Sequence, residues 1–311
     1  MGRHHARVYQ ELPQTELVGI TDADRDRARE IGSEYGVTAM EQDELLDVVD
    51  AVSIAVPTRY HYETALTAIE NGVHLLIEKP FVVDPDHGRE IIDRAAAADL
   101  RLQIGHVERF NPAVGELMNI IDNLDVIAIR ADRLGPPVNR QDDISTALDL
   151  MIHDIDVMLT LMDAEVVSVD ASGVLNNRYV DATVRFDNGT IGILTASRIT
   201  QERVRQLSVT ARDCKLNLDY ESQSIEIHRR SLPEYIENDG NVRYRHESIT
   251  ERPTISNGEP LKAELESFAE AIVDDTETEV PGEAGLRAID VASRIDQVAR
   301  EQDLSRAHSK P

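Results

Sequence analysis

Lys79, Asp149 and His153 are the residues whose types and settings could do chemistry together. Lys79 stands in Glu78-Lys79-Pro80, directly after the apolar run Val73–Ile77. Its only fellow lysines are Lys215, Lys262 and Lys310, and arginine makes up the rest of the 32 basic residues. A lysine offers a compact, protonatable point charge that arginine cannot replace. The other use of such a lysine is to snorkel from a strand end into water. Asp149 and His153 are four residues apart, which puts both on one face of a helix. A carboxylate beside an imidazole holds its tautomer and favours its charged form, as a general base near neutral pH requires. An aspartate in a helical first turn and a histidine satisfied in a core would look the same in isolation. His153-Asp154-Ile155-Asp156 has metal-ligand residue types, but its carboxylates flank different helix faces, and no metal is expected.

The elements that must carry these residues alternate in type along the first hundred positions. Leu17–Thr21, Val37–Met40, Ala51–Ala55, Val73–Ile77 and Arg101–Ile104 read as strands. Helical patterns lie between them: Asp24–Tyr35 closed by Gly36, a turn around Asp43–Val48, Tyr60–Asn71 closed by Gly72, and one capped by Asp84 with Pro85 at its first position. Such alternation predicts α/β architecture with a doubly wound parallel sheet. Ligands bind such sheets at the carboxyl ends of the strands, where Asp22, Val56-Pro57-Thr58 and Lys79 fall. Gly2, followed by a helical Arg3–Gln10, resembles the last glycine of a dinucleotide fingerprint, and Asp22 lies at the spacing of its ribose-binding acid. The first strand and earlier glycines are missing from the pattern. The natural polypeptide is therefore expected to begin some ten residues earlier, since a strand and tight turn need about that many. On their own, Gly2 and Asp22 would pass for a loop glycine and a helix cap.

The second half changes character. Asn111–Asp122 and Ala147–Met162 read as helices, and Val126–Arg133 as a strand. Alternating strands are expected at Val166–Leu175, Tyr179–Phe186, Ile191–Thr200, Val204–Thr210 and Ser224–Arg229, with a hairpin turn at Asp187-Asn188-Gly189. Helices near Leu261–Asp274 and Glu283–Glu301 close the chain. The expected division is 1–106 and 107–311. A sheet with one face against helices leaves the other for subunit pairing, so a homodimer or homotetramer is expected.

Composition removes several function classes. The 311 residues carry 58 acidic side chains and a net charge of −26, which opposes nucleic acid and anionic membrane. So large a charge, with lysine scarce, points to a protein at home in concentrated salt, where repulsion is screened. Cys214 is the single cysteine, so neither an intrachain disulfide nor a Cys-rich metal site is expected. No apolar run approaches membrane-spanning length and no secretory pattern is visible, so the expected location is cytoplasmic.

One resemblance joins these features. Gly2-Arg3-His4-His5, Val56-Pro57-Thr58 with His61, Gly72-Val73-His74 and Glu78-Lys79-Pro80 resemble the glucose–fructose oxidoreductase / inositol dehydrogenase (Gfo/Idh/MocA) family. So do Gly105-His106-Val107-Glu108-Arg109-Phe110-Asn111-Pro112 and Asp149-Leu150-Met151-Ile152-His153-Asp154, in order along nearly the whole chain. The resemblance implies a nicotinamide-binding Rossmann domain lacking its first strand, then an α+β domain with a large, mostly antiparallel sheet. It implies that Lys79, Asp149 and His153 are catalytic. It also implies that the cofactor meets Gly2, Arg3, His4, Asp22, Pro57, Thr58, His61, Glu78 and Lys79. NAD is expected over NADP because the Asp22 carboxylate would repel a 2′-phosphate, with Arg25 and Arg27 as opposing features. His4, His5 and His61 are expected as packing or phosphate-side contacts rather than catalysts. The segments at Gly105 and Asp149 look most like UDP-N-acetylglucosamine 3-dehydrogenases, so a nucleotide sugar is the expected substrate. Arg109 and Asn111 are its candidate contacts, or else an Arg–Glu pair and an Asn-Pro helix start. An inositol or simple sugar dehydrogenase and a noncatalytic NAD-binding regulator are the competing readings.

Overall fold

A computed structural model describes residues 1–137, 144–230, 234–238, 241–245 and 247–308; Lys310 lies outside them. The chain forms two compact units, Met1–Phe110 with Glu259–Asp290, and Asn111–Gly258 with Val291–Pro311. This differs from the expected continuous second domain, because the chain returns to the first unit after residue 258.

The first unit alternates helix and parallel strand: α1 Gly2–Glu11, β1 Gly19–Ile20, α2 Arg25–Tyr35, β2 Thr38–Ala39, α3 Gln42–Leu46, β3 Ala51–Ile54, α4 His61–Glu70, β4 His74–Glu78, α5 Pro85–Ala97 and β5 Leu102–Gly105. Two start signals act as the sequence suggests. The Asp24 side chain accepts from the Asp26 and Arg27 amides, and that of Asp84 accepts from the Asp86 amide with Pro85 in the first turn. Each of these bonds satisfies a backbone donor that the helix itself cannot. The parallel strands fall into two ladders, β1-β2 and β3-β4-β5, with no pairing between β1 and β3 among the described residues. In β4, Leu75, Leu76 and Ile77 are fully buried, as expected of a strand covered on both faces.

The helix that returns later, α8 (Pro260–Val273), completes this unit, and most of the chain between supplies the second. That intervening stretch comprises α6 Pro112–Ile121, β6 Val126–Leu134, α7 Ile152–Leu161, β7 Val166–Val174, β8 Tyr179–Phe186, β9 Ile191–Ser197, β10 Val204–Ala211, β11 Cys214–Asp219, β12 Ser224–Arg230, β13 Glu234–Asn238, β14 Asn241–Arg245 and β15 Ser248–Glu251. Then come α8 Pro260–Val273 and α9 Gly282–His308. Leu265 and Phe268 of α8 pack with Val8 of α1, Leu12 just after it and Leu76 of β4 in one buried cluster. That apolar contact is the physical reason residues 259–290 belong with the first unit.

In the second unit, eight strands form one sheet in the order β15-β12-β11-β10-β6-β9-β8-β7. Every pair is antiparallel except β6 with β9. Helix α7 lies against β6 and β9, and α6 against β11 and β12. A Cβ on Gly192 would stand 2.3 Å from the Met158 sulfur, so the glycine in β9 is what lets α7 come this close. Burial alternates along β8, with Val180, Ala182, Val184 and Phe186 inside. Strand β11 alternates as cleanly, although it falls outside the strands expected from sequence.

Candidate active site

Strand β4 ends in Glu78 and delivers Lys79, whose bond to Pro80 is cis. Lys79 is half-buried, at the carboxyl edge of a central strand flanked by β3 and β5. The Glu78 side chain turns inward and is almost fully buried. The His5 Nε2–H of α1 donates to its Oε1 at 2.9 Å. Burial pushes the Glu78 carboxyl up, but the His5 hydrogen bond and the charges of His5 and Lys79 outweigh it and hold it below the usual carboxylate range. Gly105 makes room for this arrangement, since a Cβ there would lie 3.1 Å from the Glu78 Cα and 3.3 Å from its carboxylate. The glycine of the Gly105–Pro112 motif thus protects the carboxylate next to Lys79.

The other expected cofactor residues line the same edge of this unit or brace it. Gly2 opens α1 near the end of β3, where its Cβ position would be 3.9 Å from that of Ala55. Met1 gives α1 no side-chain cap, so its first amides have no such acceptor. Arg3 pairs with Glu34, and His4 is exposed. Pro57 is exposed, and Thr58 begins a short 3-10 turn with its side chain largely buried. His61 is committed to the scaffold: its ring nitrogens bond the carbonyls of Phe81 at 3.1 Å and Val56 at 2.8 Å. Asp22 follows β1; one oxygen accepts from the Asp24 amide at 2.9 Å, and the other lies 3.8 Å from Arg27. Arg25 is paired with Glu41 at 2.8 Å.

Asp149 and His153 belong to the second unit. The expected helix begins instead with a π turn, Ala147–Met151, before α7 takes over at Ile152. Ser145 starts it, its hydroxyl accepting from the Leu148 amide at 3.2 Å and its carbonyl from that of Asp149 at 2.9 Å. Single π turns inside helices recur at functional sites. The Asp149 carboxylate accepts from Nη2 of Arg198 at 2.5 Å, and Nη1 of the same arginine donates to the Ile144 carbonyl at 3.1 Å. Arg198 follows the end of β9, so the sheet itself fixes Asp149. His153 is half-buried on the following turn. Its neighbour Asp154 accepts both arms of the Arg133 fork, at 2.6 and 3.1 Å, which occupies the carboxylate a metal reading would need. No group of three or more His, Cys, Asp or Glu side chains is placed to hold a metal among the described residues.

Of the two expected substrate contacts, Asn111 is spent on structure. Its Oδ1 accepts from the Ala113 amide at 3.1 Å, capping α6, and its Nδ2 donates to the Tyr220 carbonyl at 3.0 Å. Arg109 is half-buried in a 3-10 turn of the first unit. Sequence reasoning passed over Arg133, Arg198 and Arg205. The signal was present in two of them: Arg133 is in phase with buried Ile129 and Ala131, and Arg205 with Leu207 and Val209. A charge at a core position of a strand calls for a partner.

The residues of the first unit fit a dinucleotide. The uncapped start of α1 suits a pyrophosphate, and the carboxylate after β1 suits ribose hydroxyls. Comparison with known proteins agrees. Residues 1–106 match the oxidoreductase family with NAD-binding Rossmann fold, and residues 130–216 the GFO/IDH/MocA C-terminal domain. The UDP-N-acetylglucosamine 3-dehydrogenase of Acidithiobacillus ferrooxidans is 34% identical over 98% of this chain and 96% of its own length. A solved structure of that enzyme superposes with a TM-score of 0.85, covering 97% of this chain and 95% of the other at 32% identity. The scyllo-inositol 2-dehydrogenase (NAD(+)) of Bacillus subtilis is 27% identical over 64% of each chain. With its broken parallel sheet, its large antiparallel sheet and a relative matched along almost its entire length, the chain belongs to the Gfo/Idh/MocA family of NAD-binding oxidoreductases.

Proposed function

We propose that this protein oxidises a ring hydroxyl of a nucleotide sugar, of the UDP-N-acetylglucosamine class, with NAD as the coenzyme. The observation that carries the substrate class is the near full-length similarity to the Acidithiobacillus ferrooxidans UDP-N-acetylglucosamine 3-dehydrogenase. When bound, the nicotinamide supplies the hydride acceptor. His153 takes the hydroxyl proton. Lys79 donates a hydrogen bond to the reacting oxygen and stabilises the charge that develops there. The Arg198 guanidinium keeps Asp149 as an anionic acceptor, suited to orient a sugar hydroxyl or the imidazole. Gly2 and the Arg3 amide face the coenzyme phosphates with His4 beside them, and Asp22 its ribose. Arg25 and Arg27 already have carboxylate neighbours, which supports NAD over NADP. The protein works as a homo-oligomer paired through the sheet face away from α7, where exposed Arg130, Asp181 and Arg185 alternate with buried neighbours.

The test is NADH formation from UDP-N-acetylglucosamine and NAD in concentrated KCl, with light scattering on the same preparation. Lys79→Met should lower turnover by about 10²- to 10⁴-fold while NAD affinity stays nearly intact. Unchanged turnover would refute the role of Lys79. Reduction of NAD by free inositol but by no UDP-sugar would reassign the substrate to a polyol. Tight NAD binding without turnover on any sugar would indicate a regulator.

A further inference from the structure

Strands β10 and β6 run antiparallel with Arg205 directly opposite Arg133. Both are in phase with buried positions, so two guanidinium groups share the same face of the sheet. Like charges so placed repel unless each is matched. Arg133 is matched: its fork holds Asp154, and its guanidinium carbon lies 5.2 Å from the centre of the Tyr220 ring. Arg205 is not. Among the described residues it forms no ion pair, and its Nη1 donates only to the neutral carbonyls of Leu134 at 2.5 Å and Val204 at 2.7 Å. Its Nη2 lies 3.8 Å from where a Cβ on Gly135 would stand. Burial, then the charges of Arg133 and Arg203, pull the Arg205 pKa below the usual arginine range. Among the described residues, Asp154 and Glu221 act on this half-buried cation through space and neither forms an ion pair with it, which leaves its guanidinium open to an anion from outside.

Its position says which anion. Arg133 grips the residue after His153, and the Gly135 amide donates to the Ser197 carbonyl at 3.0 Å, one residue before the Arg198 that holds Asp149. The ends of β6, β9 and the start of β10 thus bring three arginines to the stretch of chain that carries Asp149 and His153, while among the described residues Asp149 pairs with Arg198 and Asp154 with Arg133. A neutral polyol has no use for the surplus charge. A diphosphate does, because guanidinium forks match its oxygens in number and geometry.

We propose that Arg205 is the diphosphate-binding residue for the nucleotide-sugar substrate. This rests on the nucleotide-sugar reading and adds the subsite. The coenzyme also carries a pyrophosphate, so the experiment separates the two sources. Binding of UDP, of uridine and of NADH is measured by calorimetry on wild type, Arg205→Gln and Arg205→Lys at one KCl concentration. UDP affinity should fall at least about tenfold in the glutamine variant and recover partly in the lysine variant, with NADH affinity within about twofold. Uridine should bind weakly and equally to all three. Because Arg205 is opposed by Arg133, the glutamine variant without ligand should melt no lower than wild type. Unchanged UDP affinity in the glutamine variant overturns the proposal, and so does a loss confined to NADH. A lower melting temperature with no specific loss of UDP makes Arg205 structural and also overturns it. If UDP binds through Arg205 but UDP-N-acetylglucosamine is not oxidised, the subsite stands and the reaction reading fails. If it is oxidised with the same KM by wild type and Arg205→Gln, the reaction stands and the subsite fails.

Discussion

Glu78 spends its carboxylate on His5, one residue before the lysine assigned to catalysis. The pair is buried, and its Coulomb partner Lys79 is next along the chain, so a change at Glu78 acts on both fold and site. The Glu78 carboxyl titrates below its ordinary value, so its contribution to stability is fully present above the unfolded value of about 4.3 and is lost as pH falls through the folded one. Glu78→Gln should therefore cost about 1–3 kcal/mol at pH 7 by chemical denaturation. The gap to wild type should stay flat down to about pH 5 and close below about pH 4.3. A gap that widens in acid would show that the carboxylate is not the stabilising form.

At the scale of elements, what the sequence made legible and what it hid divide along physical lines. Helices with side-chain caps were readable because Asp24 and Asp84 act locally, on amides two or three residues away. Lys79, Asp149 and His153 stand out in sequence by type and spacing, but what holds them in place does not. Arg198 reaches Asp149 from 49 positions away, and Arg133 reaches Asp154 from 21, distances over which periodicity carries no information. The π turn was hidden too, because residues Ala147–Met151 have ordinary helical types. The same limit affects Asn111, where an Asn-Pro start and a substrate contact look alike in sequence. The structure commits both ends of its amide, one to the α6 cap and one to the Tyr220 carbonyl. Asn111→Ala should then cost about 1–2 kcal/mol of stability, read as a lower denaturant midpoint, with KM for the sugar within about twofold. A raised KM at unchanged stability would return Asn111 to the substrate.

The whole molecule carries a net charge of −26, and this sets the conditions under which every smaller part works. Repulsion among carboxylates opposes the compact state at low ionic strength. Exposed pairs such as Arg29 with Asp26 at 3.1 Å offset little of it. The Debye length shrinks from about 10 Å at 0.1 M to about 3 Å at 1 M salt, so screening should act steeply over that interval and then level off. Stabilisation through exclusion of cosolute from the surface has a different signature, because it keeps growing and is shared by uncharged osmolytes. The melting temperature should accordingly rise sharply between 0.1 and 1 M KCl, and far more than in sucrose of matched osmolality. The same field acts on the substrate. A diphosphate approaching Arg205 must cross a surface of its own sign, which slows encounter most where screening is weakest. kcat/KM for a UDP-sugar should therefore climb over the same salt interval, while that for a neutral sugar, if any is turned over, stays flat once the protein is folded. A melting temperature highest in dilute buffer would remove the role of salt in stability. Equal salt dependence for charged and neutral substrates would remove its role in capture, leaving Arg205 as a local contact only.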